Sequence, residues 1–429
     1  MKDLYSMTSN FEGSRVYEFI KSINFVRVGG TPEEKKAADI IKRKLDSFKI
    51  ETSYQDFTLA TSYGSKSEFK FLEPYEKTVE ISQRVISGGT PPGGLVTGFK
   101  YIDSGGERYC NDIEGKVVMT TGRLDRVLYE RLTRNKVVAV IVPMGYGQKI
   151  YGITFNIDFV KKFGELPVCF MNYDDALEMV RNNISKVFIK IEDNSDHNST
   201  GRNVIGVIPG SFKPEEEILL VAHYDSTLNT GIYDNAAGTA TLVEMARYFS
   251  KNPPKRTLKF IFFTGEELGL RGSKAFIKDL KDKQFDLYNI KLVINFDLGG
   301  PILGRNCIRV TGNEEMSAYI KGINFVEDWD FLVTDDIYSS DNMPFGLEGI
   351  PAINIYRESL GLGHSWNDTI DHISSDAFNI LGAFTTKLLS GIINATNYPF
   401  KRKISKEIKH EIIKYFNNSS VDEPREEED

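Results

Sequence analysis

The chain has 429 residues, 41% of them apolar, a formal charge of −7 and three cysteines. That length exceeds what one hydrophobic core usually serves, so two or three domains are expected, and the acidic balance excludes a nucleic-acid-binding face and attraction to anionic membranes. No apolar run nears the roughly 18 residues that span a bilayer, the opening MKDLYSMTSNFEGSR lacks the apolar core of a signal peptide, and Cys110, Cys169 and Cys307 are too few and scattered for a disulfide framework. A cytoplasmic location is the expectation.

Thr31-Pro-Glu-Glu34 marks a helix start, with Thr31 as N-cap, Pro32 at the first position and Glu34 closing a capping box. The helix runs to about Phe48 and carries Ala37, Ile40, Ile41 and Leu45 on one face. A loosely alternating strand follows over 50–59. From 60 to 92 no period stands out, and Gly88-Gly-Thr-Pro-Pro-Gly-Gly94 breaks the chain. Strands are then expected over 116–120, 137–143, 166–171 and 186–191, with helices over 127–135 and 173–183 between them. Residues 85–195 therefore read as an inserted, β-rich module, with 1–84 and 196–400 forming the main domain around it.

From Asn203 onward strand and helix alternate. A strand near 204–208 precedes an apolar run, Ile218 to Ala222, that ends abruptly in His223 and Asp225. After a loop holding Asp234 comes a helix over 235–251, stopped by Pro253-Pro254. A strand over 257–264 ends in Gly265-Glu266-Glu267, and another over 291–296 ends in Asp297-Leu-Gly-Gly300. The strand 352–356 leads into Gly361-Leu-Gly-His364, and a long helix covers 374–394. The pattern predicts an α/β fold with a mixed, mostly parallel sheet flanked by helices. The segment 401–429 reads as a charged tail whose end, VDEPREEED, is disordered.

Taken singly, each of these charged residues has an ordinary explanation as a turn or a cap. Together they stand at the ends of successive strands, where α/β proteins build their sites. Several carboxylates and two histidines gathered at one sheet edge repel and shift one another's pKa values unless a cation lies among them. Imidazole and carboxylate donors suit a borderline-soft divalent ion such as zinc, with cobalt or manganese as alternatives. The absence of G-x-S-x-G, Walker A and H-E-x-x-H motifs removes the serine-hydrolase, NTPase and helical zinc-protease classes.

The stretches HYDS, DNAAG, FFTGEELGLRGS, NFD and GHSWNDTID, together with RVGGTPEEKKAADIIKRKL, resemble in order and spacing the M28 family of dizinc peptidases over about 30–60 and 200–395. The module resembles the protease-associated (PA) domain that several members carry, through GKVVMTTG, VVAVIVPM and LPVCFMNYDDALEMV. The resemblance implies a zinc-exopeptidase/phosphorylase-like fold, two zinc ions and a peptide substrate. Asp234 would bridge the metals, His223 and Asp297 would complete one, and Glu267 with His364 the other. Glu266 matches the general base and Asp225 the residue that orients His223, while the peptide bond after Asp234 is expected to be cis. Tyr356, Asp341 and Tyr233 are candidates for the pocket lining. One departure stands out, because many members have Ser-Asp-His before Pro-Phe where this chain has Ser340-Asp341-Asn342-Met343-Pro344-Phe345. An aminopeptidase is the reading. The rivals are a carboxypeptidase, which needs a pocket arginine such as Arg305, Arg309 or Arg357, a glutaminyl cyclase, and a non-catalytic binding protein of the same fold.

Overall fold

The computed structural model describes residues 11–62, 66–83, 86–146 and 157–419. The chain divides into two compact units, Met1–Leu59 with Thr200–Ile413, and Ala60–Ser199 with Lys414–Asp429.

The sheet of the first unit has eight strands: β1 (Glu51–Ser62), β2 (Ser195–Ile208), β3 (Lys213–His223), β4 (Arg256–Phe263), β5 (Ile290–Phe296), β6 (Gly304–Thr311), β7 (Leu332–Asp335) and β8 (Ala352–Ser359). Their order across the sheet is β1-β2-β4-β3-β5-β8-β6-β7. The central strands β4, β3, β5 and β8 run parallel, and β2 and β6 run antiparallel to their inner neighbours. This is the mixed, mostly parallel sheet that the sequence pattern predicts. Its helices are α1 (Gly13–Ser22), α2 (Pro32–Ser47), α3 (Ala237–Lys251), α4 (Arg271–Asp282), α5 (Glu314–Val326), α6 (Asn342–Leu347), α7 (Ser375–Asn394) and α8 (Lys406–Ser419).

Why β3 is an uninterrupted apolar run follows from its position. Ile218, Leu220 and Ala222 pack with Ile20 of α1, Ile41 of α2, Leu242 of α3 and Phe384 of α7. Leu219 and Val221 point the other way, onto Phe276 and Ile277 of α4 and Phe345 of α6. A strand covered on both faces has no polar side to show. Each such aliphatic side chain contributes about 1.5–3 kcal/mol by leaving water, so charge is deferred to the strand's end. There the register aligns the strands: His223 lies opposite Phe263, Val221 opposite Asn295 and Phe296 opposite Ile355. The residues that follow each strand therefore emerge together along one edge.

In the first unit three expectations change. Glu34 gives its N–H to the Thr31 hydroxyl, but its carboxylate does not close a capping box. It turns into the core and accepts from the Tyr224 hydroxyl. Residues 401–413 belong to the first unit and are not tail: Asn313 donates to the carbonyls of Lys401 and Lys403, and α8 buries Ile412 and Ile413. The charge density of this segment hid an amphipathic helix, and its last residues, 420–429, lie outside the described residues. The helix expected from Asn235 begins at Ala237, because Asp234 and Asn235 have non-helical dihedrals.

In the second unit a sheet runs in the order Lys77–Val79, Ser67–Glu73, Lys186–Ile191, Leu95–Tyr101, Val117–Met119, Ala139–Pro143, Val168–Met171 and Ile81–Gln83. Phe69, Phe71, Val117, Met119, Cys169, Val187 and Ile189 form its core. The unit starts earlier than residue 85, because Ser67–Glu73 pairs antiparallel with Lys186–Ile191, Phe69 facing Ile189. Strands as short as Lys77–Val79 and Ile81–Gln83 carry too few residues to declare a period. All three cysteines are free and buried. Among the described residues no helix is long and apolar enough to cross a membrane.

Candidate metal centre

His223 closes β3 with its side chain 1% exposed, and the Thr239 hydroxyl of α3 donates to its carbonyl. Its Nδ1 lies 3.5 Å from Oδ1 of the fully buried Asp225. The two oxygens of that aspartate also accept the backbone N–H groups of Glu266 and Glu267, each at 3.3 Å. Asp225 thus ties the turn after β4 to the imidazole at the end of β3. The other nitrogen of His223, Nε2, lies 3.3 Å from Asp234 Oδ1 and 3.3 Å from Asp297 Oδ1.

The second oxygen of Asp234 serves a second group. His364 Nε2 lies 3.2 Å from Asp234 Oδ2 and 3.1 Å from Glu267 Oε2. Each triad, His223/Asp234/Asp297 and Asp234/Glu267/His364, offers one ligand atom per residue within 4.8 Å of the others. The first is enclosed, whereas the side chain of His364 in the second is 40% exposed.

The bridging loop is held from both sides. Arg27, fully buried between α1 and α2, donates to the carbonyls of Thr230 and Gly231 at 2.7 and 3.0 Å, and to those of Tyr224, Ile23 and Phe25. Asp368, four residues beyond His364, accepts the N–H groups of Tyr233 and Asp234. Gly231 has φ +50°, and an added Cβ would meet the Asp234 carbonyl at 2.5 Å, so only glycine fits. The Asp234–Asn235 peptide is cis. Asn235 donates to the Phe296 carbonyl and accepts from the Leu298 N–H, bracing the chain on both sides of Asp297. A Cβ on Gly238 would meet the same Phe296 carbonyl at 2.3 Å, which is why small residues open α3.

Electrostatically the site is short of positive charge. Burial works against protonation of His223, yet Asp297, Asp225 and Asp234 outweigh it and hold the imidazole well above its ordinary pKa. His364 is raised likewise, first by Glu267. Burial pushes the Glu266 carboxyl well above its ordinary range; His223 opposes this, and Glu267, Asp297 and Asp341 add to it. Two imidazoles cannot neutralise this many carboxylates, and divalent cations can. The donor set of imidazole nitrogen and carboxylate oxygen is the one zinc takes, so the residues present fit such ions.

Of the three pocket candidates, Tyr356 lies at the edge of the site, its ring 4.9 Å from that of Tyr338, whose hydroxyl donates to the Asp297 carbonyl. Asp341 is fully buried beneath the site, where burial pushes its carboxyl up to about 7 and the Ser273 hydroxyl donates to it. Tyr233 spends its hydroxyl on the backbone, donating to the Arg357 carbonyl and accepting from the Ser359 N–H. Asn342, standing where many members of the resembled family have histidine, is also fully buried. Arg27, Asp368 and Tyr338 went unnoticed in the sequence. Arg27 and Asp368 lie inside the quoted RVGG and GHSWNDTID stretches, which was the available signal.

Behind the site, Tyr224 sits between His223 and Asp225 and donates to Glu34, whose carboxyl is raised from the ordinary 4.5 to about 7 by burial, with the Asp225 charge adding to it and hydrogen bonds from Tyr224 and Thr264 opposing. A carboxyl with a raised folded pKa binds more protons folded than unfolded. Its contribution to stability is therefore present below 4.5 and lost as pH rises through about 7, by roughly 3 kcal/mol in all. Glu34→Gln is expected to flatten this part of the stability profile, measured by urea unfolding at pH 5 and pH 8. An unchanged pH slope would show that Glu34 does not titrate in this range.

A mostly parallel sheet, covered on both faces, that gathers two imidazoles and a surplus of carboxylates at one edge has the build of a metal-dependent hydrolase. Residues 203–389 match the model of peptidase family M28, and this part of the chain is an M28 peptidase domain. The chain is 24% identical to aminopeptidase YwaD of Bacillus subtilis, over 93% of this chain and 88% of that protein. In fold it is similar to BSAP, a zinc aminopeptidase from Bacillus subtilis, with a TM-score of 0.74 and 22% identity over 93% of this chain and 99% of that one. It is also similar to a peptidase M28 precursor from Shewanella amazonensis, with a TM-score of 0.76 and 20% identity over 90% and 95% of the two chains.

Proposed function

We propose that the chain is a zinc-dependent aminopeptidase that holds two zinc ions and removes residues from the amino terminus of peptides. The observation that carries this reading is the sharing of Asp234, with Oδ1 turned to His223 and Oδ2 to His364. One carboxylate serving two otherwise complete triads is the arrangement a pair of adjacent ions needs. His223 and Asp297 would hold one ion, Glu267 and His364 the other, and a complete second set favours hydrolysis over cyclisation. A relative that matches over most of both chains is an aminopeptidase. The unit Ala60–Ser199 is read as a PA-like module.

Bound there, the ions would polarise the scissile carbonyl and bring the pKa of a water toward neutrality. The chain's own groups do the rest. Glu266 lies beside the triads without belonging to either, and its raised pKa suits a group that takes a proton and gives it back. It would accept the proton of the attacking water and return it to the departing amine. Asp225 keeps His223 in one tautomer and orientation, as such carboxylates do for metal-binding histidines. The partial exposure of His364 leaves the second triad open to substrate.

Removal of metal with a chelator is expected to abolish cleavage of aminoacyl p-nitroanilides, and added zinc or cobalt to restore it. Activity indifferent to the chelator would overturn the metal reading. In the same assay, N-acetylation of a cleaved peptide should stop its hydrolysis; continued cleavage would show that the free amino terminus is not read.

A further inference from the structure

The arginines that a carboxylate-binding pocket requires can now be told apart. Arg305 is exposed and paired with Glu358 at 2.8 Å. Arg357 is spent on the carbonyls of Pro301 and Ile302 and on Asn306 Oδ1. Arg309 is different. It lies on β6 opposite Asn354 of β8, and Asn354 in turn lies opposite Asn295 of β5, with the two asparagine side chains hydrogen-bonded. These three residues therefore share one face of the sheet, and Asp297 follows Asn295 by two residues on the same side. Two strand spacings, roughly 10 Å, separate the backbone of Arg309 from that of Asn295, and Asp297 lies two residues, about 7 Å, further along the chain, a gap that an extended arginine side chain covers in part.

Tyrosines fill the remaining distance. The guanidinium carbon of Arg309 lies 5.6 Å from the ring centre of Tyr338 and 5.9 Å from that of Tyr356. Tyr338 reaches the Asp297 carbonyl at 3.3 Å, so the same ring touches both the arginine and the chain at the first triad. Arg309 donates only to the Ile337 carbonyl and the Tyr356 hydroxyl. Its Nε is buried with no hydrogen-bond partner, and among the described residues no carboxylate pairs with it. A half-buried guanidinium normally has a carboxylate, because desolvating the charge is costly. Stacking on two rings holds the fork in place without neutralising it.

We propose that Arg309 reads a carboxylate carried by the substrate next to the scissile bond, with Tyr338 and Tyr356 as the walls of that subsite. This rests on the exopeptidase reading of the site. Two positions on a peptide supply such a group: an acidic first side chain, or the terminal carboxylate of a dipeptide. A planar fork matches a carboxylate bidentately, which a lysine cannot do.

The test compares the zinc-loaded wild type with Arg309→Met and Arg309→Lys on two substrate pairs, glutamyl against leucyl p-nitroanilide, and leucyl-alanine against leucyl-alaninamide. In each pair only one member carries the carboxylate. The Met variant is expected to lower the acid-to-neutral ratio of kcat/KM roughly 30-fold for one pair, chiefly through KM, as loss of a charge-assisted contact implies. The Lys variant should recover part of it. A loss confined to the glutamyl pair assigns an acidic side chain, and a loss confined to the dipeptide pair assigns the terminal carboxylate. Ratios unchanged in both pairs overturn the proposal. Calorimetric titration of the same proteins with glutarate against glutaramide reads the contact without turnover. If the wild type cleaves none of the four substrates yet binds glutarate at least 10-fold more tightly than the Met variant, the aminopeptidase reading has failed and the carboxylate subsite stands. Equal glutarate affinity in the two proteins overturns it.

Discussion

Glu266→Gln is expected to lower kcat by at least about 10²-fold while the protein retains its full complement of metal. Glutamine matches glutamate in volume and keeps the backbone N–H that Asp225 accepts, so the turn after β4 should stay in place. The substitution also removes a negative charge from a site that has too many of them. Burial, Glu267, Asp297 and Asp341 all press on this carboxyl, so metal binding and thermal stability should hold or improve. What is lost is the capacity to take a proton and return it. The expected signature is thus a fall in kcat with metal content, measured by atomic absorption, unaltered. Asp234→Asn provides the contrast: it removes the negative charge shared by both triads, and metal content should fall together with activity. Activity of Glu266→Gln above about a hundredth of the parent would assign the proton transfer to another group.

The legibility of this site in the sequence follows from the physics of its sheet. A strand buried on both faces must be apolar until it ends, so the change from Ile218–Ala222 to His223 announced where an edge lay, and the same reasoning located Glu266, Glu267 and Asp297. The register then brings these strand ends to one level. Side chains at strand ends were readable because a one-dimensional pattern fixed their place. Arg27 and Asp368 were not, because each acts through backbone groups of a loop far away in sequence. Arg27 follows α1 and holds carbonyls at Tyr224, Thr230 and Gly231, contacts that no periodicity encodes. Glu34 misled for a related reason. Its spacing from Thr31 satisfies a local capping rule, but a buried tyrosine hydroxyl 190 residues away competes for the same carboxylate and wins. Helix α8 was hidden by composition: in Lys406–Ser419 five lysines and glutamates outnumber the three isoleucines, of which Ile412 and Ile413 are buried.

Arg27→Met is expected to cost the first unit about 3–5 kcal/mol and to weaken metal binding at the same time. The side chain is fully buried, and burial lowers its pKa to about 10, with the charges of Asp368, Asp225 and Asp234 opposing the fall. It therefore remains charged at neutral pH. Its partners are five carbonyls in three segments: Ile23 and Phe25, Tyr224, and Thr230 with Gly231. Methionine fills much of the space but donates to none of them; the Ile23 and Gly231 carbonyls keep the N–H groups of Phe25 and Ala236, while the others lose their guanidinium donor, and each orphaned buried group costs on the order of 1 kcal/mol or more. The same change removes a buried positive charge that acts on Asp368, Asp225 and Asp234. The loop from Tyr224 to Asp234 would then keep Asp368 on one side and lose its hold on the other, so the bridging carboxylate should wander and metal affinity drop at least about 10-fold. Lysine restores the charge but offers three donors in place of five, in a different geometry, and should recover metal affinity more fully than stability. The urea midpoint reports the first quantity, and competition with a chromophoric chelator reports the second. A Met variant within about 1 kcal/mol of the parent, with unchanged metal affinity, would mean that water replaces the guanidinium and that the loop positions Asp234 unaided.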